Sequence, residues 1–234
     1  FIQFRCSLRG SSLSDFSLCV VGTLATVQCD DGCSPVSFES AVVSLVLASA
    51  SPRRRELLSL LTTDFVCRPA DIDESSQADE PPEDYVRRVA LEKARRVWQQ
   101  GQMVLSADTA VVLKKQILHK PTSYDDARGM LEALSGQTHE VMTSVVLMCD
   151  ATVETQMVNT SVQFGELEPT VIDYYLSTDE PWDKAGAYGI QGFAGCFVTR
   201  LEGSYSGVVG LPLHETDALL RAVGLGRGTH GSHA

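Results

Sequence analysis

The strongest constraint on the fold is an apolar run, Val104 to Leu113, that carries a single acid in its middle. A strand of largely apolar residues has no polar face for solvent, so both faces of its sheet must be covered. The acid, Asp108, needs a cation, a metal or an opening onto a cleft if it is to stay charged there. The run therefore predicts a buried strand with Asp108 as a candidate general base or metal ligand. A carboxylate paired with a structural lysine is the alternative.

Cap and turn signals divide most of the chain into alternating strands and helices. The predicted strands are Val42 to Ala48, Asp64 to Ile72, Val104 to Leu113, Val141 to Cys149, Thr152 to Phe164 and Cys196 to Arg200. The predicted helices are one that begins at about Pro52, then Glu83 to Gln100, one capped by Ser123 that runs through Leu134, Pro169 to Ser177, and Leu213 to Val223. This alternation predicts an α/β fold with a mixed, twisted sheet flanked by helices.

We divide the 234 residues into one domain and two ends. Residues 42–223 form the predicted domain, residues 1–41 an N-terminal extension without a sustained helical or strand period, and residues 224–234 a flexible tail. The first residues carry Arg5 and Arg9 but no acid before Asp15, a pattern that resembles an organelle-targeting peptide. We expect a cytoplasmic protein, with organelle targeting left open.

Charge and cysteine content narrow the partners. The net charge of −11 argues against a surface for nucleic acid or anionic membranes, since both need a basic patch. No apolar run approaches the roughly 20 residues needed to cross a bilayer. Seven cysteines are an odd number and show no zinc-site spacing, so we predict free thiols and no disulfide framework.

Three arginines stand where a helix disfavours cations. Ser51 and Pro52 form an N-cap and a first helical position, so Arg53, Arg54 and Arg55 fall in the first turn. The partial positive charge at a helix N-terminus opposes cations there, and a bound polyanion would offset that cost. The cluster therefore predicts a small phosphate-bearing ligand, with simple solvation of the arginines as the alternative.

Two lysines and a second acid suggest phosphate chemistry near Asp108. Lys93 falls within the apolar stripe of the predicted helix from Glu83, so its ammonium either meets an anion or reaches solvent. Lys120 is held extended by the proline that follows it. Glu74 follows the second predicted strand. Two carboxylates with several cations suit metal-assisted phosphoryl chemistry, and Mg²⁺ is the natural metal. We assign no catalytic role to histidine.

A glycine-rich segment, Asp183 to Gly192, matches neither a P-loop nor a dinucleotide-binding fingerprint. Its glycines would let the backbone approach a ligand closely, and Gln191 offers a donor and an acceptor suited to a base edge. A tight structural turn would have the same composition.

Between about Leu45 and Leu220 the sequence resembles the Maf family of nucleoside triphosphate pyrophosphatases. The resemblance rests on the motifs Leu47-Ala-Ser-Ala-Ser-Pro-Arg-Arg-Arg-Glu-Leu-Leu58, Ala107-Asp-Thr109, Lys120-Pro121, Leu134-Ser-Gly-Gln-Thr-His139, Glu180-Pro181, Asp183-Lys-Ala-Gly-Ala-Tyr-Gly-Ile-Gln-Gly192, Gly203-Ser-Tyr205 and Val209-Gly-Leu-Pro212. It implies a fold related to inosine triphosphate pyrophosphatases, with two lobes around a central cleft, a divalent metal and often a homodimer.

The resemblance also implies a reaction and its residues. A nucleoside triphosphate would be cleaved between the α and β phosphates to a monophosphate and pyrophosphate. Asp108 would accept a proton from water, Lys93 and Lys120 would hold phosphates beside it, and Glu74 with Asp108 would bind Mg²⁺ or Mn²⁺. The substrate-binding residues would be Ser49, Arg53, Arg54, Thr109 and Gln191.

Three positions indicate the branch of the family. The set Arg53, Thr109 and Gln191 resembles the branch that acts on dTTP and UTP, whereas the branch that prefers 7-methyl-GTP has tryptophan and glutamate in place of the first two. We therefore expect a pyrimidine substrate and a role in clearing unwanted nucleotides. The competing hypothesis is a non-catalytic nucleotide-binding regulator of cell division that uses the same cleft.

Overall fold

The computed structural model describes residues 44–150 and 152–225. The strands are Leu45–Leu47 (β1), Phe65–Cys67 (β2), Met103–Leu113 (β3), Gln116–Leu118 (β4), Thr138–Met148 (β5), Val153–Phe164 (β6) and Val198–Glu202 (β7). The α-helices are Pro52–Ser59 (α1), Pro82–Val97 (α2), Tyr124–Leu134 (α3), Pro169–Leu176 (α4), Tyr205–Val209 (α5) and Leu213–Ala222 (α6). Three 3₁₀ turns, Pro181–Asp183, Ala185–Ala187 and Phe193–Phe197, lie between α4 and β7.

The seven strands of this region form one mixed sheet, in the order β2-β1-β3-β5-β6-β7 with β4 also paired to β3. Strand β1 is parallel to both of its neighbours, and the other pairs are antiparallel. The predicted mixed α/β fold is thus confirmed. The long hairpin of β5 and β6 forms because both runs are continuous and only a short turn separates them.

Strand β3 has an opening on one edge, and this opening positions the site. Along that edge β1 pairs with residues 103–105 and β4 with residues 111–113. In the described chain, residues 106–110 therefore have no strand partner there, although β5 pairs with them on the other edge. Asp108 and Thr109 lie within this gap, where a ligand can reach the middle of a central strand.

Helices cover both faces of the sheet, as the apolar run of β3 predicts. Alternate residues of β1 point to opposite faces. Leu45 and Leu47 pack with α1 and α6 residues, whereas Val46 packs with the apolar stripe of α2. A separate core on the far side of the gap joins α3, α4 and β6 around Leu131, Tyr175 and Phe164. The cleft therefore lies between two lobes, each with its own apolar core.

The helix caps agree with the sequence. The Ser51 hydroxyl accepts the amide of Arg54 at 3.4 Å, and the Ser123 hydroxyl accepts that of Asp126 at 3.1 Å. Gly136 has a φ of +66° just after α3, where a left-handed residue ends a helix.

Several predicted bounds are wrong. The second strand is only Phe65–Cys67, because the chain then leaves the sheet through Arg68 and Pro69 towards the cleft. Helix α2 ends at Val97, where Trp98 turns to an extended ψ of 140°. The predicted strand at Cys196 begins instead at Val198, since a 3₁₀ turn occupies the preceding residues. Strand β4 and helix α5 were not predicted.

Parts of the predicted organisation fall outside the described residues. The extension 1–41 and nearly all of the tail 224–234 do, so the domain boundaries stay predictions. Cys67 and Cys196 are free thiols, as expected, and four further cysteines lie in the undescribed N-terminal part. Within the described residues, no helix is both long and apolar enough to cross a membrane.

Candidate active site

A cleft of about 920 Å³ opens at the gap in β3. Four segments line it: the turn from β1 into α1, the loop after β2 that carries Glu74, the chain from β4 to Lys120, and the glycine-rich segment that ends at Gly192. Every site residue predicted from the sequence lines this cleft: Ser49, Arg53, Arg54, Glu74, Lys93, Asp108, Thr109, Lys120 and Gln191. The fold brings them together from positions up to 142 residues apart, since Ser49 and Gln191 mark the ends of the set.

The floor of the cleft is a lysine between two carboxylates. The ammonium of Lys93 lies 2.8 Å from Asp108 Oδ1 and 2.9 Å from Glu74 Oε1. The side chains of Lys93 and Asp108 are only 8% and 7% exposed, whereas that of Glu74 is 40% exposed. Helix α2 delivers Lys93 to this point because the residue lies in its buried stripe. The sequence left open whether the ammonium of Lys93 meets an anion or reaches solvent. The structure shows that it meets two carboxylates.

Asp108 is poised to take up a proton. Burial raises the pKa of Asp108, and the charges of Lys93 and Arg54 oppose that rise. Lys93 occupies Oδ1, and the described residues provide no hydrogen-bond donor for Oδ2. Asp108 lines a cleft that water can enter. A carboxylate with a raised pKa and one uncommitted oxygen suits a general base.

Arg54 belongs to a hydrogen-bonded network beside the floor. Its Nε donates to the carbonyl oxygen of Gly210 at 2.8 Å, and its Nη2 donates to Thr109 Oγ1 at 3.3 Å. Thr143 Oγ1 lies 3.0 Å from Thr109 Oγ1 and 2.8 Å from the carbonyl oxygen of Gly207. Because that carbonyl can only accept, the Thr143 proton goes to it and Thr109 donates to Thr143. The network fixes both Arg54 and Thr109.

The three arginines of α1 are in different environments. Arg53 lies 3.3 Å from the carboxylate of Asp183 across the cleft, while Arg54 is hydrogen-bonded to Thr109. Arg55 is exposed and does not line the cleft. Burial lowers the pKa of Arg54, and the negative charges of Asp108 and Glu74 counter that effect. The helix start thus presents two of its three cations to the cleft.

The remaining predicted residues lie at the rim. Lys120 is exposed, and no anion of the described residues pairs with it. Gln191 is exposed at the tip of the glycine-rich segment, and no described residue is hydrogen-bonded to its side chain. The Ser49 hydroxyl accepts the amide of Ser51 at 3.2 Å, which shapes the turn into α1. Lys120 and Gln191 are therefore available to a ligand.

The charges of the cleft fit a divalent metal that arrives with phosphates. Five basic residues line the cleft, Arg53, Arg54, Lys93, Lys120 and Lys184, against five acids, Asp73, Glu74, Asp108, Glu180 and Asp183. A triphosphate would leave this formally neutral cleft strongly negative. The described residues contain no group of three or more acidic, histidine or cysteine side chains suited to a metal. Two carboxylates that share a metal with phosphate oxygens are a common Mg²⁺ arrangement, so Glu74 and Asp108 fit the ion.

Sequence reasoning missed the residues that hold the Glu74 loop. The hydroxyl of Tyr85 donates to the carbonyl oxygen of Glu74 at 2.9 Å, and Arg88 Nη2 donates to that of Ser75 at 2.9 Å. Arg88 also binds both oxygens of Glu80, at 2.6 and 2.8 Å, and this lowers the pKa of Glu80 to about 2. Tyr85 and Arg88 lie on α2 with Lys93, but the two bonds that hold the loop go to backbone carbonyl oxygens, which leave no trace in the sequence. Thr143 could have been identified from the sequence, because it is a polar residue within the largely apolar run of β5.

His139, to which no catalytic role is assigned, lies away from the cleft lining in the core of one lobe. Its Nε2 lies 2.7 Å from the hydroxyl of Tyr188, and burial lowers the pKa of His139 to about 4. The neutral imidazole of His139 packs against Phe164 and Tyr188, so its role in the core is structural.

Comparison with known families decides the membership of the chain. Residues 44–223 match the family model described as Maf-like protein. The chain belongs to the Maf family. The matched residues include the whole lining of the cleft.

Relatives of the Maf domain are similar over nearly their whole length. A dTTP/UTP pyrophosphatase from Anaeromyxobacter dehalogenans is 56% identical over 184 residues, which cover 77% of this chain and 94% of that protein. Proteins of the same name from Pseudoalteromonas atlantica and Yersinia pestis are 49% and 48% identical, and cover 77% and 82% of this chain and 97% and 99% of their own. Among solved structures, the Staphylococcus aureus Ham1 protein matches 76% of this chain and 98% of its own with a TM-score of 0.46 and 12% identity.

Proposed function

We propose that this protein is a nucleoside triphosphate pyrophosphatase that hydrolyses dTTP and UTP to the monophosphate and pyrophosphate. The observation that carries the proposal is the floor of the cleft, where a buried ammonium holds a carboxylate that has one oxygen free for water. The names of relatives about 50% identical, dTTP/UTP pyrophosphatases, support the substrate class.

Asp108 is the proton acceptor in this proposal. Its free oxygen takes a proton from water, whose oxygen bonds to a phosphorus of the α–β anhydride. The bond from that phosphorus to the bridging oxygen breaks, and the leaving group, pyrophosphate or the nucleoside monophosphate, keeps the bridging oxygen and the electron pair. Lys93 keeps the Asp108 carboxylate oriented and offsets its charge. The raised pKa of Asp108 supports this role, since a higher pKa makes a carboxylate a stronger proton acceptor.

Arg53, Arg54 and Lys120 hold the phosphates. Arg54 is already oriented by Gly210 and Thr109, so little of its conformational entropy is lost on binding. Lys120 has no counter-ion in the described chain and can neutralise a phosphate without breaking an ion pair. The backbone amides at the start of α1 add donors, as helix N-termini do for phosphates.

A divalent cation, Mg²⁺ or Mn²⁺, would be held by Glu74 and Asp108 together with substrate phosphates, and would supply charge stabilisation to the reacting phosphoryl group. Because five acids balance five bases in the cleft, its side chains alone cannot neutralise the charge of a triphosphate. This balance supports a role for the additional positive charge of a metal.

We propose that the preference for pyrimidine nucleotides is determined by Arg53, Thr109 and Gln191. The Gln191 amide has a donor and an acceptor, and uracil and thymine both present a carbonyl beside a ring N–H. Ser49 shapes the turn that approaches the substrate.

We also propose that the protein forms a homodimer and is located in the cytoplasm. The free thiols of Cys67 and Cys196 suit a reducing compartment, which supports that location.

Pyrophosphate release tests the proposal. Purified protein with Mg²⁺ or Mn²⁺ should release pyrophosphate and monophosphate from dTTP and UTP faster than from GTP and ATP. Release of orthophosphate instead would contradict cleavage at the α–β bond. No release from any pyrimidine triphosphate would favour the non-catalytic regulator.

A further inference from the structure

The side chain of Glu180 lines the cleft wall but has no role in the reaction as proposed. Its Oε2 accepts the backbone amide of Phe193 at 2.8 Å, and its Oε1 accepts that of Ala194 at 3.4 Å. The buried hydroxyl of Tyr175 donates to Oε1 at 3.1 Å. Three donors thus converge on one carboxylate, which lies 13 residues before Phe193 in the sequence.

Two glycines of the same segment have no room for a side chain. A Cβ on Gly192 would overlap the carboxylate of Glu180, and a Cβ on Gly189 would come within 2.6 Å of Lys184 Cε. Lys184 is itself fixed, since its ammonium lies 2.5 Å from both the Glu180 carbonyl oxygen and Asp183 Oδ1. A side chain at either glycine would therefore have to displace the carboxylate of Glu180 or the side chain of Lys184.

These contacts hold both ends of a four-residue loop, Gly189 to Gly192. Its two central residues, Ile190 and Gln191, line the cleft. Within the loop the Gly192 amide donates to the carbonyl oxygen of Gly189 at 3.1 Å, and the Phe193 ring that follows packs against Tyr175 and Phe197. The bond from the Phe193 amide to Glu180 Oε2 ties the end of the loop, two residues after Gln191, to that carboxylate.

We propose that Glu180 is a positioning residue that sets base selectivity by fixing the Gly189 to Gly192 loop. The inference rests on the proposed function, in which Gln191 reads the base. Glu180 touches neither the phosphates nor Asp108 in this account. Loss of its carboxylate should loosen the reading of the base and leave the chemistry at Asp108 in place.

The Glu180→Gln variant isolates the carboxylate, because glutamine has nearly the same shape. An amide has one acceptor oxygen, so its NH₂ group must face either the Phe193 or the Ala194 amide, which is also a donor. Asp179→Asn is the matched control, since this neighbouring exposed acid has no hydrogen-bonded partner among the described residues. Gly192→Ala should reproduce the effect, because its methyl group displaces the carboxylate. Gly129→Ala is its control, with nothing within 4 Å of the added Cβ.

Each variant is combined with Asp108→Asn, because loss of turnover allows nucleotide binding to be measured. Two quantities are then compared with those of the Asp108→Asn protein. The first is the ratio of the Kd for GTP to that for UTP by calorimetry. We expect Glu180→Gln and Gly192→Ala to lower the ratio about tenfold, in line with the cost of misplacing a reading group. The second is hydrogen exchange of the Phe193 and Ala194 amides, which should become faster in both variants. The two controls should match the Asp108→Asn protein in both quantities.

Each outcome is decisive. Faster exchange with an unchanged Kd ratio would show a purely structural contact and overturn the proposal. Unchanged exchange in the folded Glu180→Gln variant would show that the carboxylate does not hold the loop. The Kd ratio is measured at equilibrium, so failure of the wild-type protein to release pyrophosphate would contradict the proposed function and leave this test valid.

Discussion

The floor and the wall of the cleft are built in opposite ways. On the floor, Lys93 and Asp108 project from the long elements α2 and β3 and are almost fully buried. On the wall, the loop that carries Gln191 is exposed, and the amides of Phe193 and Ala194 just after it are hydrogen-bonded to Glu180. The floor is an ion-pair site on rigid elements, and the wall is an exposed loop that a carboxylate anchors at one end.

This difference separates chemistry from selectivity. Charged groups that are buried must be paired, so any change on the floor leaves an uncompensated charge and has a large effect. Hydrogen bonds on a half-exposed wall are individually worth about 1 kcal/mol, so changes there have graded effects. We expect floor variants to abolish turnover and wall variants to change which base is accepted.

Lys93→Met should give the largest loss. Without its ammonium, Glu74 and Asp108 face each other without a cation between them. Turnover should fall by about 10³-fold or more, and the free energy of unfolding by about 3 kcal/mol. Initial rates with UTP and urea denaturation measure the two effects. Arg95→Met, an exposed change on the same helix, is the control. A Lys93→Met variant with wild-type stability would contradict a buried ion pair.

Arg54→Gln should have the next largest effect. It removes a phosphate-facing cation and breaks the hydrogen bonds to Gly210 and Thr109. We expect kcat/KM for UTP to fall about 10²-fold, as for loss of an oriented donor to a reacting group. Arg55→Gln, the exposed neighbour, should behave as wild type. Equal losses in both variants would instead point to a general effect of charge at the start of α1.

The same variant should change the pH dependence. Asp108 must be ionised to accept a proton, so the rate should rise with pH through its raised pKa. Arg54 lowers that pKa by its charge, so Arg54→Gln should move the acid limb of the kcat profile to higher pH. Stability has the opposite sign, because a carboxyl with a raised folded pKa favours the folded state at low pH and loses that contribution as pH rises. A shift of the limb to lower pH would exclude Asp108 as the titrating group.

Tyr175→Phe should give the smallest effect, on the wall. It removes only the hydroxyl that donates to Glu180 Oε1, and the ring can keep its packing with Phe197. Loss of one of three donors to a carboxylate that keeps its two backbone donors suggests a change of about fivefold in the preference for UTP over GTP. The ratio of kcat/KM values for the two substrates measures it. Tyr174→Phe is the control, an exposed tyrosine of the same helix. A loss of turnover with no change in preference would break the division between floor and wall.

Sequence reasoning was more successful for the floor than for the wall. An acid in an apolar strand and a lysine in an apolar helical stripe violate patterns with fixed periods, so Asp108 and Lys93 could be found as exceptions. Glu180 violates no pattern, because it follows the end of α4 in a polar segment and its partners are backbone amides. The same reason explains the missed roles of Tyr85 and Arg88.

The fold divides along similar lines. Long elements with caps were predicted well, as the Ser123 cap and the two long strands β5 and β6 illustrate. Short pieces were not, because three residues of β2 or β4 owe their conformation to the strand they pair with. The gap in β3 lies between β4 and the equally short β1, so its existence could not be predicted from periodicity.

The most direct test of the account is the Asp108→Asn variant, measured for turnover and for binding of α,β-methylene-UTP, in which the reactive bridge is blocked. The account predicts that UTP turnover falls by about 10³-fold or more while the analogue binds with nearly the wild-type Kd. Unchanged turnover would contradict the assignment of Asp108 as the proton acceptor at the floor of the cleft.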